Sequence, residues 1–383
     1  MNTTSVIELS QSALENNINF IRNNLGANVK MSSVVKGNAY GHGIEDFVPM
    51  AEKAGIDHFS VFSSDEAWQV KSVCSPDTDI MIMGWIDEHD RDWVIENGLE
   101  FFVFQVEYLK DAIARAKRLG IKAKIHLDLE TGMNRIGLNR RQLRQSLPLL
   151  KENYDHLELK GVCTHYAGAE SIANHVRVQK QITKFNKAYK WLLQQNIRPE
   201  TRHTACSAAA VAYPKTQMDM VRIGILQYGF WPSKETQIHY LHTSKNKINP
   251  LMQVIRWRSR IMSIKTVREG EFISYGTTYM ALEKKKIAIV PVGYSHGFSR
   301  SLSNQGRVLI NGQRVGVIGM VNMNMLIADV TYLDSPKLGD EVVMIGEQGD
   351  NKITVSSFGE LSDQVNYELL TRLPSRIIRV IKK

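Results

Sequence analysis

The chain has 383 residues, of which 43% are hydrophobic and 23% charged; this length suits two or three domains, and this balance excludes disorder and fibrous repeats. The formal net charge of +9 sits late in the chain: residues 241–383 carry 20 Lys and Arg against 12 Asp and Glu, and residues 1–240 carry 28 against 27. These basic residues are scattered, with one short run at Lys284-Lys285-Lys286 and no nucleic-acid module signature, so no nucleic-acid partner is expected.

The first eleven residues, MNTTSVIELSQ, lack a basic region followed by an apolar core, and no secretory leader is expected. Residues 5–9 form a short strand candidate that could pair with a later domain. From residue 30 to about 226, β-branched or aromatic runs alternate with amphipathic stretches. The runs at 30–35, 58–62, 79–83, 100–104, 122–128, 157–163, 201–204 and 221–226 are predicted strands. Helical patterns lie among them, the first at 10–25, others at 106–119, 141–150 and 169–195. Eight strands, each preceded by a helix, are the count a (β/α)8 barrel requires. An open doubly wound sheet is the alternative, although no Gly-x-Gly-x-x-Gly follows any of these strands. After about residue 240 the rhythm changes. Residues 252–264, 286–292, 307–310, 313–318, 326–330 and 341–345 read as short strands between glycine-containing turns, an all-β domain. Residues 363–373 read as a helix and 376–381 as a strand. The expected organisation is therefore an α/β barrel of the TIM type at 1–240 and a mostly-β domain at 241–383. No apolar run nears the ~20 residues of a membrane span. Cys74, Cys163 and Cys206 lie far apart without a Cys-x-x-Cys, which argues against a disulfide framework or a metal site. A reducing cytoplasm is the expected compartment.

In a barrel, functional groups come from the carboxyl ends of strands. The first barrel strand runs into Val34-Val35-Lys36-Gly37-Asn38-Ala39-Tyr40-Gly41-His42-Gly43. A lysine after an apolar strand is by itself a surface residue. Here three glycines let backbone approach a ligand, and Tyr40 and His42 add polar groups beside it. A lysine held at a barrel mouth is placed to form a Schiff base with a carbonyl cofactor or substrate.

The run 34–43 resembles the pyridoxal-phosphate signature of bacterial alanine racemases. The resemblance recurs at Thr131-Gly132-Met133-Asn134-Arg135-Ile136-Gly137, Thr164-His165-Tyr166-Ala167 and His203-Thr204-Ala205-Cys206-Ser207-Ala208-Ala209. It continues at Val221-Arg222-Ile223-Gly224-Ile225, Ile273-Ser274-Tyr275-Gly276, Val292-Gly293-Tyr294 and Gly319-Met320-Val321-Asn322-Met323-Asn324. Eight motifs in order cover nearly the whole chain.

The resemblance implies that Lys36 holds pyridoxal 5'-phosphate covalently and serves one face of the substrate Cα as acid and base. Tyr275 matches the family tyrosine for the opposite face. A phenol ordinarily keeps its proton up to about pH 10, so this role calls for a cationic neighbour, and Arg135 matches a family arginine of the same pocket that also meets the substrate carboxylate. Arg222 matches the residue that contacts the cofactor ring nitrogen. Arginine can donate to that nitrogen but not protonate it, which disfavours transamination. His165 would orient Arg222, and His203 would extend the same network or serve the core alone. Ser207, with the backbone of Gly224 and Ile225 and the hydroxyl of Tyr40, matches the phosphate cradle; a simple helix cap is the plain alternative for Ser207. Met323 and Tyr294 match residues at the substrate carboxylate and the pocket mouth. In this family the counterparts of Tyr275, Tyr294 and Met323 reach the other subunit's site, which implies a homodimer with composite active sites. Asp128 stands where many relatives carry a carbamylated lysine that orients the arginine, so it would pair with Arg135. His42 and Asp65 are left without a role.

Pro374-Ser375, Asn322 and Asn324 depart from common family residues near the phosphate and the substrate carboxylate. Alanine is the expected substrate, with serine or another amino acid as the alternative. A decarboxylase of related fold is a second alternative, although this β domain has no cysteine. A barrel-only cofactor carrier does not account for the 143 residues after residue 240.

Overall fold

A computed structural model describes residues 3–362 and 366–383. Its contacts divide the chain into two compact units, Ala13–Lys36 with Val48–Met252, and the described residues of Met1–Ser12, Gly37–Phe47 and Gln253–Lys383. Two short segments from before residue 240 therefore pack with the later chain. One of them carries strand β1 (Val6–Ser10).

The first unit contains β2 (Lys30–Val34), β3 (His58–Val61), β4 (Asp79–Ile82), β5 (Glu100–Val103), β6 (Ala123–Asp128), β7 (Leu157–Cys163), β8 (Thr201–His203) and β9 (Met220–Ile223). All pair in parallel, in the order β8-β7-β6-β5-β4-β3-β2-β9. A parallel bridge between Cys206 and Arg222 brings the two ends together, so the sheet is a nearly closed barrel and not an open doubly wound layer. Local chemistry delimits the helices between strands. The helix Val106–Leu119 buries Leu109, Ala112, Ile113 and Ala116 and stops at Gly120, whose φ of 68° favours glycine. The helix Arg140–Glu152 opens on Asn139, whose side chain accepts from the Arg141 and Gln142 N–H groups while Gln142 returns a bond to the Asn139 N–H.

The second unit holds β1, β10 (Ile255–Arg260), β11 (Ser263–Val267), β12 (Lys285–Val290), β13 (Arg307–Ile310), β14 (Gln313–Gly316), β15 (Leu326–Asp329), β16 (Glu341–Gln348), β17 (Asn351–Ile353) and β18 (Ile378–Lys382). One sheet has the order β14-β13-β16-β10-β1-β18 with β17 on β16, and a smaller one is β11-β12-β15. Strand β1 pairs antiparallel with β10 and parallel with β18, so the amino-terminal strand belongs to the β unit. Trp257, Phe298 and Phe358 pack in its core, with ring centroids 6.4 and 5.5 Å apart.

Two strand expectations change. The run 252–264 is two strands in different sheets, because the Ile261 N–H donates to Asp340 O while the Met262 N–H donates to Ile289 O. The strand expected over 221–226 ends at Ile223, since Gly224 bends the backbone (φ −104°, ψ −103°) into a 3-10 turn, Ile225–Tyr228. The helix expected at 363–373 lies partly outside the described residues; its described part is Asn366–Thr371.

Candidate active site

The mouth of the barrel is built around the end of β2. The Val34 carbonyl accepts from the Gln227 amide at 3.1 Å and the Tyr228 hydroxyl at 2.9 Å, and the Val35 N–H donates to Ser60 O at 2.9 Å. The backbone one residue before Lys36 is thus held from two sides. Immediately beyond it, Gly37, Asn38, Ala39 and Tyr40 all lie in the left-handed region, with φ between 51° and 63°. Each of the three non-glycine residues costs about 1–2 kcal/mol there. The turn persists because the Gly43 N–H returns to Asn38 O at 2.9 Å and the Asn38 side chain accepts from the Ile44 N–H at 3.0 Å. Backbone strain kept at such cost belongs with functional sites.

Lys36 is exposed at the mouth, but its amine stands in a recess crowded by protein atoms. That desolvation lowers its pKa, with further lowering by the charges of Arg135 and Arg222 and an opposing pull from Glu66. His165 sits beside the same cations; burial first, then Arg222, Arg135 and Lys36, push its pKa down to about 3, so it is neutral. Arg222, on β9, is buried. One Nη donates to His203 Nδ1 and to His203 O, each at 2.5 Å, and the other donates to Thr164 O at 2.8 Å. Ser207 opens the helix Ser207–Ala212, and its hydroxyl accepts from the Gly224 N–H at 3.0 Å.

Two expectations change here. His203, not His165, makes the direct bond to Arg222; the neutral His165 ring only feels the Arg222 charge. Strand register decides this, since His203 pairs with Cys163 inside the barrel while Thr164 and His165 lie past the end of β7. Asp128 forms no ion pair with Arg135. Its hydrogen bond comes from the Cys163 thiol, with Sγ 3.7 Å from Oδ1, because β6 and β7 pair Asp128 with Cys163.

That environment yields a prediction. Burial, opposed by Arg222, the Cys163 hydrogen bond and Arg135, pushes the Asp128 carboxyl up to about 7. Ionisation is then harder in the folded chain than in the unfolded one, where the group titrates near pH 4. Its contribution to stability is intact below about pH 4 and lost as pH rises toward 7. Asp128→Asn is therefore expected to match the parent at pH 4 and to exceed it by about 4 kcal/mol at pH 8, three units at about 1.36 kcal/mol each. Urea unfolding across that range measures the gap, and a gap that does not grow with pH contradicts the assignment.

In the β unit, Tyr275, Tyr294 and Met323 lie on loops tied to one another. The Ser274 hydroxyl donates to Met320 O at 2.7 Å and to Asn322 Oδ1 at 3.1 Å. The Tyr294 and Ser295 N–H groups donate to Asn322 O and Met323 O, each at 3.0 Å. A Cβ at Gly293 would collide with the Asn322 and Met323 backbone, so this close approach requires glycine. All three side chains are exposed, Tyr275 most of all at 72%. Tyr40, in the same unit, is buried with its ring 5.8 Å from that of Tyr367.

Residues 9–232 match the family described as alanine racemase, N-terminal domain, and residues 254–381 match alanine racemase, C-terminal domain. The chain belongs to the alanine racemase family. The alanine racemase of Leptospira interrogans is 35% identical over 99% of this chain and 96% of its own length. Among solved structures, the Bacillus anthracis alanine racemase with bound L-Ala-P superposes with a TM-score of 0.90 at 31% identity, covering 100% of this chain and 96% of that one. The Bartonella henselae alanine racemase with covalently bound pyridoxal phosphate superposes at 0.86 with 25% identity over all of both chains. Alanine racemase relatives along the full length favour alanine racemisation over the serine and decarboxylase alternatives.

The donor set fits pyridoxal phosphate. Lys36 supplies an amine, Arg222 a guanidinium that cannot accept, and Ser207 a buried hydroxyl beside the Gly224 backbone, which suits an anionic phosphate and a ring nitrogen with a lone pair. The site as built also contains residues that sequence reasoning missed: Glu100, His126 and His58, each a polar residue inside a buried barrel strand. A charged residue opening the apolar run Glu100-Phe101-Phe102-Val103 was the available signal.

Proposed function

We propose that in this alanine racemase Lys36 and Tyr275 are the two acid–base groups serving opposite faces of the substrate Cα. The reaction interconverts L- and D-alanine, and the enzyme is an isomerase dependent on pyridoxal 5'-phosphate. When bound, the cofactor draws electron density from Cα and makes its proton removable. The chain supplies the rest. Lys36 would hold the cofactor, and its amine takes or returns the Cα proton on its own face; the lowered pKa favours the unprotonated form that this needs. Tyr275 does the reverse on the other face. Arg135 and the Met323 backbone bind the substrate carboxylate, and Tyr294 lines the pocket mouth. Arg222 would donate to the ring nitrogen without protonating it, which restricts the chemistry to proton exchange, and His203 holds the guanidinium in place. Ser207 and the backbone of Gly224 and Ile225 would hold the phosphate, the group to which the family resemblance also assigns the Tyr40 hydroxyl.

The observation that carries this reading is the convergence of Lys36, Arg222 and Ser207, from the carboxyl ends of β2, β9 and the segment after β8, on one barrel mouth with no carboxylate bonded to any of them among the described residues. The working enzyme in this reading is a homodimer in which Tyr275, Tyr294 and Met323 of one subunit complete the site of the other. Its setting is the cytoplasm, in keeping with three free cysteines. Among the described residues no helix is long and apolar enough to cross a membrane.

Mixing two inactive variants tests the reading. Refolded together, Lys36→Ala and Tyr275→Phe chains form mixed dimers with one intact site and one doubly defective site. Racemisation should recover to about a quarter of the parent value, from half the dimers carrying one of two sites. A mixture as inactive as its components would mean that both residues act within a single chain.

A further inference from the structure

Inside the barrel, beneath the mouth, lies a continuous line of buried polar groups. Arg222 donates to His203 Nδ1 at 2.5 Å, His203 Nε2 lies 2.8 Å from His126 Nδ1, and His126 Nε2 lies 2.9 Å from Glu100 Oε2. The same Glu100 oxygen is 3.2 Å from His58 Nε2, and His58 Nδ1 is 2.8 Å from the Ser32 hydroxyl. Each of these side chains is 4% exposed or less.

The direction of donation along this line is forced. Guanidinium only donates, so His203 Nδ1 must accept. A neutral imidazole has one donor and one acceptor, so His203 Nε2 carries the proton and gives it toward His126 Nδ1. His126 in turn carries its proton on Nε2 and donates to Glu100, which as a carboxylate only accepts. An extra proton on either histidine would set two donors against each other. Burial favours the neutral rings: desolvation, together with Arg222 and the neighbouring histidines, lowers the pKa of His203. Desolvation also prevails for His126, over the opposing pull of Glu100. Burial alone would raise Glu100, but the hydrogen bonds from His126 and His58 outweigh it and hold the carboxyl below its usual range. An isolated buried carboxylate is costly; this one is compensated by two donors and by the arginine charge at the far end of the line.

We propose that Glu100 is a positioning residue for Arg222, acting through His126 and His203 to lock the guanidinium toward the cofactor ring. The proposal rests on the reading that Arg222 meets the ring nitrogen. Replacing the carboxylate, which can only accept, by a group that can also donate removes what fixes the polarity of the whole line. The Gln in Glu100→Gln can donate to His126 Nε2, which moves the His126 proton to Nδ1, then the His203 proton to Nδ1, and leaves that N–H facing the guanidinium. The neighbouring strand is shaped around the line as well. A Cβ at Gly161 would run into the His126 ring and lie 2.8 Å from the Thr201 hydroxyl; this glycine has no positive φ to account for it, only the space that His126 occupies.

Nitrogen-15 NMR of histidine-labelled holoenzyme, assigned with single histidine variants, reads the tautomers directly. We expect Nε2–H and bare Nδ1 on both His126 and His203; a proton on Nδ1 of either ring overturns the proposal without any variant of Glu100. In Glu100→Gln we expect altered tautomers, a shifted absorption band of the bound cofactor, and a kcat lower by about ten- to a hundredfold with little change in KM. Gly161→Ala, which keeps the carboxylate but displaces the His126 ring, should give the same signature if Glu100→Gln does not fold. Unchanged tautomers in both variants overturn the line itself. Changed tautomers with an unchanged cofactor band overturn the proposal through the Arg222 reading on which it rests.

Discussion

Replacing Lys36 with alanine is expected to lower racemisation by about four orders of magnitude or more, the upper range for loss of an acid–base group, because the covalent hold on the cofactor goes with it. The geometry singles out this lysine. Its backbone is anchored through Val34 by Gln227 and Tyr228 and its turn is held left-handed from Gly37 to Tyr40. Burial, Arg135 and Arg222 make its amine easier to deprotonate. Borohydride reduction followed by peptide mass mapping should place the cofactor on the Lys36 peptide in the parent protein and on no peptide in the variant. Retained activity, or covalent label on another lysine, would end the assignment.

For Tyr275→Phe we expect racemisation to fall by about 10²- to 10⁴-fold while proton exchange becomes one-sided. Lys36 still serves its own face, so deuterium from solvent should enter Cα of one alanine enantiomer far faster than the other. A merely structural tyrosine would not produce that asymmetry, since loss of folded enzyme slows both directions alike. The loop is suited to the substitution. Ser274 (φ 69°) and Gly276 (φ 69°) set the turn, and the Ser274 hydroxyl rather than the Tyr275 side chain ties it to Met320 and Asn322. Equal exchange into both enantiomers would remove Tyr275 from the chemistry.

Much of this was legible in the residues. Eight short apolar runs separated by amphipathic stretches point to a parallel α/β sheet, because strands buried on both faces must be apolar and helices must offer one apolar stripe; the count of eight favours a barrel, and the bridge between Cys206 and Arg222 decides it over an open sheet. Lys36 stood out from its own surroundings, a lysine after an apolar strand followed by three glycines; the roles of Arg135, Ser207, Arg222, Tyr275 and Met323 came from the resemblance of eight runs in order to the alanine racemase family. Position along a strand was enough to bring Lys36 and Arg222 to one end of the barrel.

What the sequence left open was every relation set by register between strands distant in the chain. Strand β1 joins β10 and β18 across more than two hundred residues, and no local pattern encodes that choice. The continuous apolar pattern at 252–264 hid a change of sheet, since alternation is the same whichever neighbour supplies the hydrogen bonds. His203 rather than His165 meets Arg222, and Asp128 meets Cys163 rather than Arg135, because the pairing of β6, β7 and β8 rotates those side chains inward together. The line from Arg222 to Glu100 is the clearest case. Its members come from four strands, and Glu100 and His126 are each, taken alone, an ordinary polar residue in a strand. Only closure of the barrel brings them within hydrogen-bond distance, where low dielectric makes an unpaired polar group costly and a one-directional line of them stable.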